Sequence, residues 1–233
     1  MKIRQSGFTL VEIAIVLVII GLLFGGILKG QELINSARVR SLSDSNTGIQ
    51  AAYYGFVDRF RRIPGDWNAT NASLAIGVPV SAGGNDDGQI NNVTGPSLYT
   101  EPNAIWVQLA AAGFIQGSYN GGTDAPTNAN GVSPLNPFNN VMVMGRTDDY
   151  LDAPSMRLQL VIGRGVPVDV IRELDLKTDD ANPYTGEFRA ALPIGGGAVF
   201  GDIAMTEADC VDIDNRVWDV TQDAQNCNGV SLF

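Results

Sequence analysis

The sequence predicts an α+β fold: one long N-terminal helix, membrane-spanning in its first half, packed against a C-terminal antiparallel β-sheet head with long loops. Three observations predict it. From Phe8 to Leu28 the only charge is Glu12, and at about 1.5 Å per residue that run measures roughly 31 Å, the hydrocarbon thickness of a bilayer. Beyond Gly30 a helical periodicity continues to Phe60 with charge now admitted. After Pro64, stretches rich in Gly, Asn and Pro separate short apolar runs of strand character at 141–144 and 156–162.

Taken in order, Lys2 and Arg4 precede Gly7 and the apolar run, so the positive-inside rule holds that end in the cytoplasm and sends everything after Leu28 outward. A carboxylate such as Glu12 costs about 2.5 to 3.5 kcal/mol at the centre of a bilayer even on lenient insertion scales. An ordinary signal peptide places its small-residue cleavage site after the apolar core. Here the small residue, Gly7, comes first, and the residues from Lys29 to Arg38 offer no Ala-x-Ala site. A cut before the run leaves the segment on the mature protein. Gly21 with Gly25, and Gly26 with Gly30, form two G-x-x-x-G spacings, which either let membrane helices approach closely or reflect the general frequency of glycine in such helices.

Leu42, Ser45, Ile49, Ala52, Tyr53, Phe56, Val57 and Phe60 follow a three-and-four spacing, while Asp44, Gln50, Asp58, Arg59 and Arg61 fall elsewhere. The helix is expected to run from Phe8 to about Arg61, with Pro64 and Gly65 ending it. Residues 68–99 read as loop. Within them Asn85 to Ile90 has a faint likeness to a calcium loop, making Asp86 and Asp87 weak metal candidates, but the EF-hand alternation and closing glutamate are missing and an Asn/Asp/Gly turn explains the run better. Thr100 and Pro102 offer a cap and a first-turn proline for a helix through Ala112, stopped by Gly113, with Ile105, Leu109 and Ala112 inward and Trp106 beside them. Residues 117–140 read as a long exposed loop. A short helix is expected from Pro167 to about Leu176, with Val168, Ile171 and Leu174 inward. Three matches to the N-glycosylation pattern, at Asn68, Asn71 and Asn92, read as coincidence.

Composition narrows the chemistry. The 233 residues carry 15 basic and 25 acidic side chains, a formal charge of −10, so an acidic surface opposes general binding to nucleic acid. There is no histidine, which removes Ser-His-Asp and Cys-His catalysis and the usual zinc sites. Gly195 to Gly197 lacks the lysine and helix of a phosphate-binding loop, and no cofactor is expected. A carboxylate pair could still serve hydrolysis, but no spacing singles one out. Cys210 and Cys227 are the only cysteines; in an oxidising compartment two cysteines commonly pair, the alternative being two free thiols.

At its start the chain resembles the signal of type IV pilins and type II secretion pseudopilins, on Gly7-Phe-Thr-Leu-Val-Glu12 with basic residues before it and the apolar run after it. The resemblance implies a prepilin peptidase that cuts between Gly7 and Phe8 and methylates the new amino terminus of Phe8, and it gives Glu12, the fifth mature residue, a role in assembly. It divides the chain into a leader (1–7), a transmembrane and assembly segment (8–30), an amphipathic spine (31–62) and a globular head (63–233). It implies a non-enzymatic structural subunit with itself or other pilins as partners in a helical filament. Further partners would be an inner-membrane assembly platform and its ATPase. The chain would sit in the bacterial inner membrane with a periplasmic head before assembly, then in a surface filament or a periplasmic pseudopilus. Residues 59–67 resemble a helix end common among prepilin-type proteins, and 176–186 resemble a turn before the last strands, with Ala181 where glycine is usual.

Overall fold

The computed structural model describes residues 10–90, 99–152, 155–191 and 210–233. The chain divides into two compact units, the first ending at Arg38 and the second spanning Val39–Phe233. Helix α1 (Leu10–Phe60) is continuous α-helix and supplies all the described residues of the first unit. In the second unit its buried residues are Val39, Leu42, Asn46, Ile49, Ala52, Tyr53 and Phe56, one stripe at helical spacing. The sequence reading included most of this stripe but not Val39 or the polar Asn46. Arg61, at φ +55°, ends the helix in the left-handed region with its N–H on the Val57 carbonyl, three residues before Pro64.

Helix α2 (Ala69–Ile76) lies where the sequence reads as loop. The Asn68 side chain caps it by accepting from the Thr70 N–H, and Gly77, at φ +88°, closes it with its N–H on Ser73. Cap and stop were both written in the chain, hidden among other Asn and Gly residues. Helix α3 (Thr100–Ala111) has Tyr99 at its N-cap position, without a side-chain capping hydrogen bond, where Thr100 was expected, and Gly113 follows in the left-handed region. Every residue from Glu101 to Leu109 is buried, so the helix is enclosed on all sides instead of presenting one face; Ala112, expected inward, is the half-buried C-cap.

Strands β1 (Val143–Thr147), β2 (Arg157–Val161), β3 (Phe188–Ala190) and β6 (Gly229–Leu232) form an antiparallel sheet in the order β1-β2-β6-β3; β4 (Val211–Asp212) and β5 (Val217–Trp218) form a separate hairpin. Register places Met144, Leu160, Ser231 and Phe188 in one row across the sheet and Val143, Val161, Val230 and Arg189 in the next. Alternation along a strand puts these rows on opposite faces. Met144 and Leu160 pack with Ile49, Phe56, Ile105 and Trp106 of α1 and α3, whereas Val161 and Val230 pack with Tyr150. Helix α4 (Val168–Thr178) buries Val168, Ile171 and Leu174 as expected, in a cluster with Val39, Leu42, Phe188, Trp218 and both cysteines.

Candidate functional site

In the first unit, every residue from Leu10 to Lys29 is exposed, with Leu22 at 73% and Phe24 at 63%. The segment is long and apolar enough to cross a membrane. The core-facing side of a soluble helix buries such residues, whereas among the described residues nothing covers these. Glu12 is in the first turn of α1, exposed. An ideal Cβ placed on Gly21, Gly25, Gly26 or Gly30 meets nothing within 4 Å among the described residues, so no contact with them requires glycine at these positions. Charge returns with the exposed Lys29–Glu32 ion pair at 2.7 Å. Gly7 and Phe8 lie outside the described residues.

The cysteines meet. Cys210 and Cys227 are bonded, with Cα atoms 5.8 Å apart. Cys227 also exchanges both backbone hydrogen bonds with Val166, so the bond ties the β4–β5 hairpin to the approach of β6. Beside it Trp218 Nε1–H donates to the Asp175 carboxylate at 2.7 Å. Burial pushes the Asp175 carboxyl up to about 6, against the pull of that hydrogen bond. Asp175 has no exposed surface, so it serves the core and has no path to a substrate.

The Asn85 to Ile90 run is a turn tied down by carboxylates that the sequence did not single out. Buried Asp66 accepts from the Asp87 and Gly88 N–H groups, each at 3.0 Å, and buried Glu101 accepts from Asn85 N–H. Asp87 accepts from Gln89 N–H and from the Asn85 side chain. Among the described residues no group of three or more Cys, Asp or Glu side chains is placed to hold a metal ion. Buried Gln108 completes the anchor, donating to the Trp67 and Ala82 carbonyls and accepting from Gly65 N–H. Asp66 lies in the turn after α1 while Glu101 and Gln108 both lie on α3, and only the spacing of Pro64-Gly65-Asp66 hinted at a structured helix exit.

Compared with known proteins, residues 2–28 match the family model described as the prokaryotic N-terminal methylation motif. No curated protein and no solved structure matches the chain.

Proposed function

We propose, from the prepilin-type methylation signal that residues 2–28 carry, that this chain is a structural subunit of a type IV pilus or pilus-like filament. The observation that carries the reading is the uncovered apolar stretch of α1 behind that signal, with Glu12 in its first turn. Prepilin peptidase cuts between Gly7 and Phe8 and methylates Phe8. The apolar segment holds the subunit in the inner membrane with its head in the periplasm, until a platform protein and an ATPase move it into a filament. There the apolar surface exchanges lipid for the helices of neighbouring subunits. Gly21, Gly25, Gly26 and Gly30 allow close approach between those helices. The Cys210–Cys227 bond suits an oxidising compartment, where small exported folds gain from such a staple.

A second reading is a type II secretion pseudopilin, which uses the same subunit physics in a short periplasmic filament. The stapled C-terminal hairpin and the large loops of the head favour the surface filament. The experiment is to shear cells, collect the filaments and sequence the N-terminal peptide by mass spectrometry. Long filaments containing this chain, beginning at N-methyl-Phe8, are expected. A chain confined to the periplasm and inner membrane would favour the pseudopilin, and recovery of Met1 or Lys2 on the mature protein would overturn both.

A further inference from the structure

Asparagine followed by glycine is a pair with a chemistry of its own, because glycine has no side chain to shield its backbone nitrogen from the asparagine amide. The sequence holds three such pairs, Asn120-Gly121, Asn130-Gly131 and Asn228-Gly229. Two of them close one loop. Asn120 N–H donates to the Gly131 carbonyl and Asn120 Nδ2–H to the Asn130 carbonyl, both at 2.9 Å. These bonds clasp residues 121–129, and within the clasp buried Asn103 of α3 donates to the Gly122 and Asp124 carbonyls.

The fold presents the three pairs unequally. Asn228 is only 6% exposed, and Gly229 is fixed in β6 opposite Ala190. Asn130 is half-buried and its amide is held at both ends: Oδ1 accepts from Thr127 N–H at 3.0 Å, and Nδ2–H donates to the Ala125 carbonyl at 2.9 Å. Asn120 is exposed, and its amide is held at one end only, through Nδ2. Among the described residues nothing donates to Asn120 Oδ1 and nothing accepts from Gly121 N–H. Packing also demands glycine at 121, since an ideal Cβ there would lie 2.3 Å from the Ala82 Cβ. The exposed pair is therefore built into the closure of the loop.

We propose that Asn120 is a deamidation site whose conversion opens the clasp over residues 121–129. Hydroxide removes the Gly121 amide proton, and the nitrogen attacks Asn120 Cγ. A new C–N bond closes a five-membered succinimide, the Cγ–Nδ2 bond breaks, and Nδ2 leaves as ammonia with a proton from water, which returns the hydroxide. Water then opens the ring at either carbonyl, leaving aspartate or isoaspartate, with no oxidant or reductant involved. Both products replace the Nδ2–H donor by carboxylate oxygens that only accept, so the bond to the Asn130 carbonyl is lost. Isoaspartate also adds a methylene to the main chain beside the bond from Asn120 N–H to Gly131.

The test ages the purified full chain in detergent micelles at mildly alkaline pH, in water enriched in heavy oxygen, and follows the three peptides by mass spectrometry. Conversion at Asn120 is expected several-fold ahead of Asn130, the margin of one further hydrogen bond, with Asn228 unchanged. In urea, where the fold no longer distinguishes the pairs, all three should convert at similar rates. Equal rates in the folded chain overturn the proposal, as does conversion of Asn130 ahead of Asn120, or an Asn120 that stays intact in the folded chain while the unfolded chain converts. Asn120→Asp supplies one product directly and should speed cleavage at Asp124 by an aspartate-directed protease several-fold. Wild-type resistance at Asp124 in that variant would overturn the opening of the clasp.

Discussion

Asp175 and Glu12 are both carboxylates among apolar residues, one buried in the second unit and one in the first turn of α1. For Asp175 the folded-state value of about 6 lies above the ordinary 3.8, because burial disfavours the charge. The folded chain therefore binds more protons than the unfolded chain between about pH 4 and pH 6, and stability falls as pH rises through that window. Asp175→Asn keeps an acceptor for Trp218 and removes the charge. It should flatten that slope and raise stability above pH 7 by about 1–3 kcal/mol, read from thermal unfolding of the full chain at a series of pH values. An unchanged slope would show that the group is not the one titrating. Glu12 meets its cost differently. An ammonium on a mature Phe8 and the Glu12 carboxylate are both expensive in lipid, and a neighbouring subunit displaced along a filament would bring the two opposite charges together in one register. Glu12→Ala is expected to insert and be cleaved yet assemble poorly, with partial recovery in Glu12→Asp. Filament counts by electron microscopy, in cells without other pilins, check this; normal numbers from the alanine variant would remove the charge from the assembly step.

Among the elements, long periodic segments were legible and short ones were not. The outline of α1 is clear because many residues repeat one spacing, and α4 because Val168, Ile171 and Leu174 do the same over one face. Helix α2 has only 8 residues, mostly small and polar, so its caps outweigh its pattern. Strands β4 and β5 have 2 residues each, too few for alternation to be visible. The anchor formed by Asp66, Glu101 and Gln108 is tertiary, joining parts of the chain that carry no mutual signal in sequence. The first residue of β6 shows the same limit: a Cβ on Gly229 would overlap the buried Phe188 ring of β3, a contact that nothing in the sequence announces. Gly229→Ala should therefore destabilise the head by about 1–3 kcal/mol through overpacking, measured by denaturant unfolding. No loss would mean that the ring moves aside freely.

At the scale of the whole molecule, the methylation signal at 2–28 is the most readable part and the head the least, since the signal is contiguous and the head's cohesion comes from distant pairings. The cysteines bridge that gap, because an exported pair predicts its own bond. Replacing Cys210 and Cys227 by serine should lower stability by about 3 kcal/mol on the loop-closure account, with the wild-type protein resisting thiol labelling until it is reduced. Stoichiometric labelling of the unreduced protein would refute the pairing.

Strand β6, at 229–232, lies between β2 and β3. Ribosomal synthesis delivers β2 and β3 before β6, so each waits with an unpaired edge while the intervening chain emerges. Pairings this distant make folding slow, because loop closure precedes any gain from contact. Before β6 joins the sheet, the folding chain therefore passes through a period with two strand edges open. Edge-to-edge mispairing between nascent heads is the hazard of that period, and a chaperone that shields β2 and β3 until residue 232 has arrived would relieve it.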